Sequence, residues 1–309
     1  MGELKNITIG ISINSMTSKK SSALKNETLP LFTTYLPDFA LKQCELELKE
    51  TPEKKSEELT RLRQLLKVEE ITRNINFEED FLIQYLRHSK YEAHRAYKRL
   101  RNVVDLKRKQ PDFFKGLPEQ YIVSQFSKPI ILLMPKRCPD GCSIFVARLG
   151  KWNPNELTFD RFMQVNMIMF TQFLRDQMTQ ITGFKIIYDF HEASLQLLKM
   201  GTPSNAYYYY HTMIDCIPGR YKELHIFNES IVFKAFWPII RIFLSEKIRK
   251  RIYFHSKIEE LHEYFPLSVL PAMYGGEESN ENSRNVIQWL KNANNEFVKS
   301  TEAGQPNFY

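Results

Sequence analysis

A chain of 309 residues, 43% hydrophobic and 13% aromatic, has room for about two domains and is too apolar to stay disordered. Its 43 basic and 36 acidic side chains leave a net charge of +7, which suits nucleic acid, an anionic membrane surface or no charged partner. No run approaches the ~18 uninterrupted apolar residues of a spanning helix. The opening MGELKNITIGISINSM lacks a basic stretch leading into an apolar one, so no secretory signal is expected and the cytosol is the expected compartment.

Residues 1–36, rich in Ser, Thr, Asn and Lys without a sustained period, read as a flexible tail. From 37 to 115 the pattern is helical. Thr51-Pro52-Glu53 is a helix start: a hydroxyl cap, proline in the first turn, then an acid at the positive end of the dipole. Leu59, Leu62 and Leu66 form that helix's apolar stripe, Phe81, Leu82, Tyr85 and Leu86 a second, and Ala96, Leu100, Val103 and Val104 a third. Beyond Pro111 the character changes. SIFVARLG (143–150), FKIIYDF (184–190), ELHIFNE (223–229) and RIYFHS (251–256) read as strands, separated by helical stretches over 158–180, 194–215 and 230–250. That alternation predicts parallel pairing with crossover helices. The expected fold class is α/β: a small N-terminal helical bundle (37–115), then a mostly parallel β-sheet with flanking helices (116–280), then a C-terminal helix and tail (281–309).

Chemistry is scarce. There is no G-x-G-x-x-G, no phosphate-binding P-loop, no G-x-S-x-G elbow and no H-E-x-x-H. His225 and His255 fall inside strand patterns, where a satisfied core histidine is the commoner role than a base. Asp189, at a strand end, could serve as an acid, but the sequence shows it no partner. Cys138 and Cys142 bracket a PDG turn, with Cys44 and Cys216 far away, so reduced cysteines are expected rather than a zinc site. An enzyme, a metal and a cofactor are all unexpected.

KAFWPIIRIFLSEKIRKRIYF (234–254) sets Phe236, Trp237, Ile240 and Phe243 at helical spacing and follows them with Lys247, Arg249, Lys250 and Arg251. Taken alone, such a stripe is core and such a run a solvated face, or the pair is a membrane-facing element. Pro238 removes one helical hydrogen bond and is expected to bend the helix.

The stretch LHIFNESIVFKAFWPIIRIFLSEKIRKRIYFHS (224–256), followed by LHEYFPLSVLPAMYGGE (261–277), resembles the CRAL-TRIO lipid-transfer family, on the side of its tocopherol and retinaldehyde carriers. DFLIQYLRHSKY and TGFKIIYDF match that family's N-terminal helical motif and central strand, and the resemblance covers roughly 45–290. It implies a sheet and helices enclosing a hydrophobic cavity that binds a lipid or other hydrophobic small molecule and transfers it between membranes, without catalysis. Carried over by position, the ligand pocket is Met163, Asn166, Phe170, Phe184, Tyr188, Tyr209, Met213 and Leu224. Phe233, Phe236, Trp237, Ile240 and Phe243 form the gate, and Arg220, Lys222, Lys247 and Arg251 a phosphoinositide-binding patch on an anionic membrane. Ser89 stands where the family sets a basic residue of that patch; Lys90 or Arg87 could replace it. The implied protein is a monomer, peripherally and reversibly membrane-associated, with no nucleic-acid partner. Its alternative is a phosphoinositide-sensing adaptor that recruits a protein without net lipid transfer. Tocopherol, a retinoid, a carotenoid, squalene or a phospholipid all suit such a cavity.

Overall fold

The computed structural model describes residues 28–121, 130–279 and 291–295, so most of the expected tail and of the C-terminal 281–309 segment lies outside the described residues. The helical part has four helices where three stripes were legible: α1 (Asp38–Leu46), α2 (Pro52–Val68), α3 (Glu79–His88) and α4 (Ala93–Lys109). Thr51 caps α2, its hydroxyl accepting from the Lys54 amide at 3.2 Å. Part of the stretch read as tail is held: β1 (Leu29–Pro30) pairs antiparallel with β3 (Lys136–Arg137).

The sheet has the order β2-β4-β5-β6-β7, with β2 (Ile131–Leu133) antiparallel at one edge. β4 (Ser143–Arg148), β5 (Phe184–Asp189), β6 (Tyr221–Phe227) and β7 (Ile252–His255) run parallel, as the strand–helix alternation predicts. The three long helical stretches are each broken. α5 (Phe159–Phe173) and α6 (Gln177–Thr182) are separate because the Asp176 carboxylate accepts from the Thr179 amide at 2.6 Å and starts a new helix. The second stretch is a 3-10 turn (Leu195–Met200), then α7 (Pro203–Tyr210), then a π turn (His211–Cys216), divided at Gly201-Thr202-Pro203. The third is α8 (Ile231–Phe243) and the short α9 (Glu246–Arg249), restarted by a Ser245 cap.

Buried polar knots help to hold these layers together. Arg87 in α3 donates to both Glu50 oxygens, at 2.7 and 2.6 Å, and to Gln180 of α6, tying the helical bundle to the sheet domain. It is spent inside the fold and does not stand in for the residue that Ser89 replaces. Asp189 accepts from the His191 amide (2.8 Å), Asn228 Nδ2 (3.0 Å) and the Tyr274 hydroxyl (2.7 Å), clasping the ends of β5 and β6 to the closing LP…YGG segment. A carboxylate so occupied is a structural acceptor rather than an acid, which answers the question its position raises.

On the sheet face away from α5, His225 Nδ1 lies 2.8 Å from His255 Nε2, and His225 Nε2 lies 3.3 Å from Glu223. That network assigns a neutral His225 donating to Glu223 and accepting from His255. Burial pushes His255 down to about 4, the His225 ring adds to this, and Glu260 opposes it. Burial also lowers His225, against the opposing charge of Glu223. Both folded-state values lie below the unfolded value near 6.5, so the unfolded chain binds more protons in between. Stability is therefore expected to be complete above about pH 6.5 and to fall as pH drops from there toward 4. The urea midpoint should fall measurably between pH 7 and pH 5, and His255→Gln should flatten that slope; a wild-type midpoint constant over this window would contradict the assignment.

Candidate functional site

Between the sheet and the helices lies a cavity of about 200 Å³. Its floor is the sheet face carrying Tyr188, Tyr221, Leu224, Ile226 and Ile252. Phe159 and Phe162 of α5 close one side, Tyr209 and Met213 another, and α8 covers it with Phe233, Phe236, Trp237 and Ile240. Among the described residues, no lining side chain is Asp, Glu, Lys, Arg or His. The floor follows from strand alternation, Leu224 and Ile226 pointing to one face while Glu223 and His225 point to the other. Regular alternation would then put Lys222 in the cavity. It does not, because the β5–β6 register shifts between Phe184 and Lys185: Phe184 faces Tyr221, whereas Lys185 faces Glu223. Lys222 is the extra residue of this bulge, and Tyr221 takes the cavity face instead.

The eight residues given to the pocket separate into two groups. Tyr188, Tyr209, Met213 and Leu224 line the cavity. Met163, Asn166, Phe170 and Phe184 do not. Phe170 and Phe184 pack with Phe145 and Phe173 at ring distances of 4.9–5.4 Å, in the core between α5 and the sheet. Met163 belongs to that core, and Asn166 turns its amide onto the Phe162 carbonyl of its own helix at 2.7 Å. The missed wall residues Phe159 and Phe162 are one helical turn apart, so their shared face was legible, but which face of α5 meets the cavity was not.

α8 is apolar nearly all round. Phe233, Phe236, Trp237, Ile240 and the following Leu244 face the cavity at i, i+3, i+4, i+7 and i+11. Phe243 sits outside the lining, against the rings of Tyr207 and Tyr210. Only Val232 and Phe233 are fully buried in this helix, while Ile231 and Ile242 are 70% and 80% exposed. Full burial of a large apolar side chain is worth about 1.5–3 kcal/mol, so a half-seated helix is held much less firmly than the sheet beneath. Phe236 reaches the bare backbone of Gly201, where an added Cβ would lie 2.1 Å from its ring.

Beside the cavity the basic residues converge. Arg220 and Lys222, at the start of β6, both contact Glu47 just after α1, Lys222 at 3.5 Å. Arg251 donates to the Tyr221 carbonyl between them. Lys247 is exposed, yet partial desolvation and then the charges of Arg251, Arg220, Lys90 and Arg99 hold its ammonium below the usual lysine range. Burial raises the Glu47 carboxyl, but Arg220, Gln43 and Lys222 together outweigh that and leave it below the usual range, ionised at neutral pH. Lys90, next to Ser89, belongs to this cluster. All four cysteines are buried and free, and no group of His, Cys, Asp and Glu among the described residues could hold a metal ion.

The site is thus an apolar cavity beneath a loosely seated helix, in an α/β fold whose mostly parallel sheet is joined to an N-terminal helical bundle. Residues 128–276 match the CRAL/TRIO domain. The human protein named alpha-tocopherol transfer protein-like is 26% identical over 271 residues, covering 87% of this chain and 79% of its own length. Human Clavesin-2 is 25% identical over 247 residues, covering 76% of this chain and 73% of its own. The crystal structure of Sfh5 aligns at 10% identity and a TM-score of 0.49, over 76% of this chain and 92% of that one.

The Gly201–Phe236 contact makes the seating of α8 testable. Gly201→Ala should displace the Phe236 ring at a cost of about 1–3 kcal/mol. Amide exchange across Ile231–Phe243 should accelerate while exchange in β4, β5 and β6 stays as in wild type; unchanged exchange in α8 would show that Phe236 does not hold it.

Proposed function

We propose that this protein is a non-enzymatic carrier that takes one hydrophobic molecule into the cavity under α8 and exchanges it with an anionic membrane, where phosphoinositides assist docking and release. The observation that carries this reading is the juxtaposition of a charge-free cavity, a half-seated apolar helix over it, and the cluster of Arg220, Lys222, Lys247 and Arg251 alongside. Ligand pockets generally fall between about 300 and 1,000 Å³. A cavity of about 200 Å³ therefore has to widen for a lipid-sized guest, and α8 is the wall with least to lose. In this reading α8 is the gate. Its outer residues Ile231 and Ile242 meet the acyl boundary as the inner face leaves the cavity, so one apolar contact replaces another. The cations supply reversible attraction, about 1 kcal/mol for each near an anionic leaflet. The alpha-tocopherol transfer protein-like relatives support a carrier by their name.

Native mass spectrometry of freshly purified protein, with lipid extraction, tests the carrier reading directly: a co-purifying hydrophobic molecule at about one per chain is expected. Leu224→Trp fills the cavity from the sheet and should abolish that loading while vesicle binding persists; recovery of an empty wild-type protein that takes up nothing from a lipid panel would sink the proposal.

The membrane half has its own test. The double reversal Lys247→Glu with Arg251→Glu should reduce binding to phosphoinositide-containing vesicles at least tenfold and flatten its salt dependence, because screening acts over roughly 8 Å at physiological salt. Phe236→Ala with Trp237→Ala should weaken binding even at high salt, since that contribution is apolar. Glu47→Gln removes the internal anion from Arg220 and Lys222 and should strengthen binding several-fold. Wild-type salt dependence in the charge-reversed protein would reduce the cluster to a solvated face.

A further inference from the structure

We propose that α1 is a second membrane contact, whose outer side, carrying Phe39 and Leu46, enters the anionic leaflet on which the cationic cluster docks. This rests on the membrane half of the reading above and adds an interaction surface to it. The inner side of α1 packs Ala40 and Cys44 on Met178 and Ile181 of α6. On the outer side Leu46 is 79% exposed, so it contributes little to the core, and Phe39 is exposed beside it. The two lie seven residues apart and share one direction, with Lys42 between them and Lys49 beyond, both exposed. An apolar pair among lysines that can lift their ammonium groups to the headgroups suits an anionic interface. The acids of the exposed surface, Asp38 and Glu45, stand about 100° round the helix from that pair.

The place of α1 in the fold gives this side its partner. The four parallel strands all begin at one end of the sheet, so Arg220 and Lys222, at the start of β6, and Arg251, just before β7, share that end. Round α1 from Phe39 and Leu46, the next edge is that of Gln43 and Glu47, whose side chains bond at 2.8 Å. Glu47 in turn holds Arg220 and Lys222. α8 carries the chain from the far end of β6 back to the start of β7. Its last turn, with Ile242 80% exposed, therefore arrives at the same end, and Lys247 follows it. The cluster is continuous with α1 through Glu47 and with α8 through Lys247, and each margin carries an exposed aliphatic side chain. A leaflet drawn onto these cations meets Leu46 as well as Ile242. Single exposed hydrophobic residues are ordinary on a protein surface. Val68 is one, 85% exposed and followed by Glu69 and Glu70, about 25 Å of helix away from Thr51 at the far end of α2.

The test attaches an environment-sensitive fluorophore to the full-length protein through Leu46→Cys, Ile242→Cys or Val68→Cys, the four native cysteines being buried. Vesicles of phosphatidylcholine and phosphatidylserine containing a phosphatidylinositol bisphosphate are then added. The probes at 46 and 242 should shift to the blue and be quenched by nitroxide-labelled lipid, while the probe at 68 stays as in water. Leu46→Ser in the unlabelled protein should weaken vesicle binding about tenfold at low and at high salt, because the lost contribution is apolar. Its melting temperature should match wild type, since the side chain barely touches the fold. A shift at 242 without one at 46, or wild-type binding by Leu46→Ser, would overturn the inference and leave the membrane reading standing. This side of α1 would then be open to a protein partner or a second copy of the chain. Equal shifts at 46 and 68 would mean indiscriminate adhesion and would overturn it as well. No shift at 46 or 242, with wild-type protein left in solution, would overturn the membrane reading and this inference together.

Discussion

A single extra residue in β6 governs the layout of the site. With Lys222 bulged out, Tyr221 turns into the cavity and Lys222 turns away from it, beside Arg220 and Glu47. A regular strand would have buried an ammonium in an apolar cavity, which is costly. Gly183, at φ +90, starts β5 with its α-carbon packed so closely on the Arg220 carbonyl that a Cβ would lie 2.0 Å away. Close approach of the two strand starts and the bulge between them form one local feature, and both the cavity floor and the cationic rim depend on it.

The cover of the cavity is held by a different balance. α8 gains most from Phe233, whose ring meets Phe190 at 5.1 Å and Trp237 at 5.6 Å, and less from Phe236, Trp237 and Ile240, which are half-exposed. Its interior Pro238 cannot donate to the helix, so the backbone is weakest near its middle. A helix apolar on its outer face has two places to put that surface, the protein and a membrane. No described helix is long and apolar enough to cross a membrane.

The frame around this movable part is stiff, for an electrostatic reason. Arg137, fully buried, donates to the Leu31 carbonyl at 2.7 Å, to Ser143 at 2.9 Å and to Asp176 at 2.5 Å, joining β1, β4 and the start of α6. Removing one partner of such a knot strands a buried charge, so each knot is either complete or very costly. Arg87 with Glu50 works in the same way, and Asp189 with its three neutral donors is a further buried network that is costly to break. Under the proposed function, opening at α8 would leave the sheet and the helical bundle in place.

Much of this was legible in the sequence, because it depends on period and on local chemistry. Strand–helix alternation determined the parallel sheet, hydroxyl-Pro-acid signals located the start of α2, and helical spacing put Phe236, Trp237 and Ile240 on one apolar face, though Phe243, read on the same stripe, packs outside the cavity against Tyr207 and Tyr210. The four cations could be named as a group only through resemblance to a family, since about thirty residues of chain separate Arg220 from Arg251. Tertiary structure decided the rest. Periodicity says that α5 has an apolar face, but α5 is buried nearly all round, so only packing sends Phe159 and Phe162 to the cavity and Met163 and Phe170 to the core. Which face of β6 Tyr221 occupies depends on a register shift against a neighbouring strand, a contact between residues 184 and 221 that no local pattern encodes.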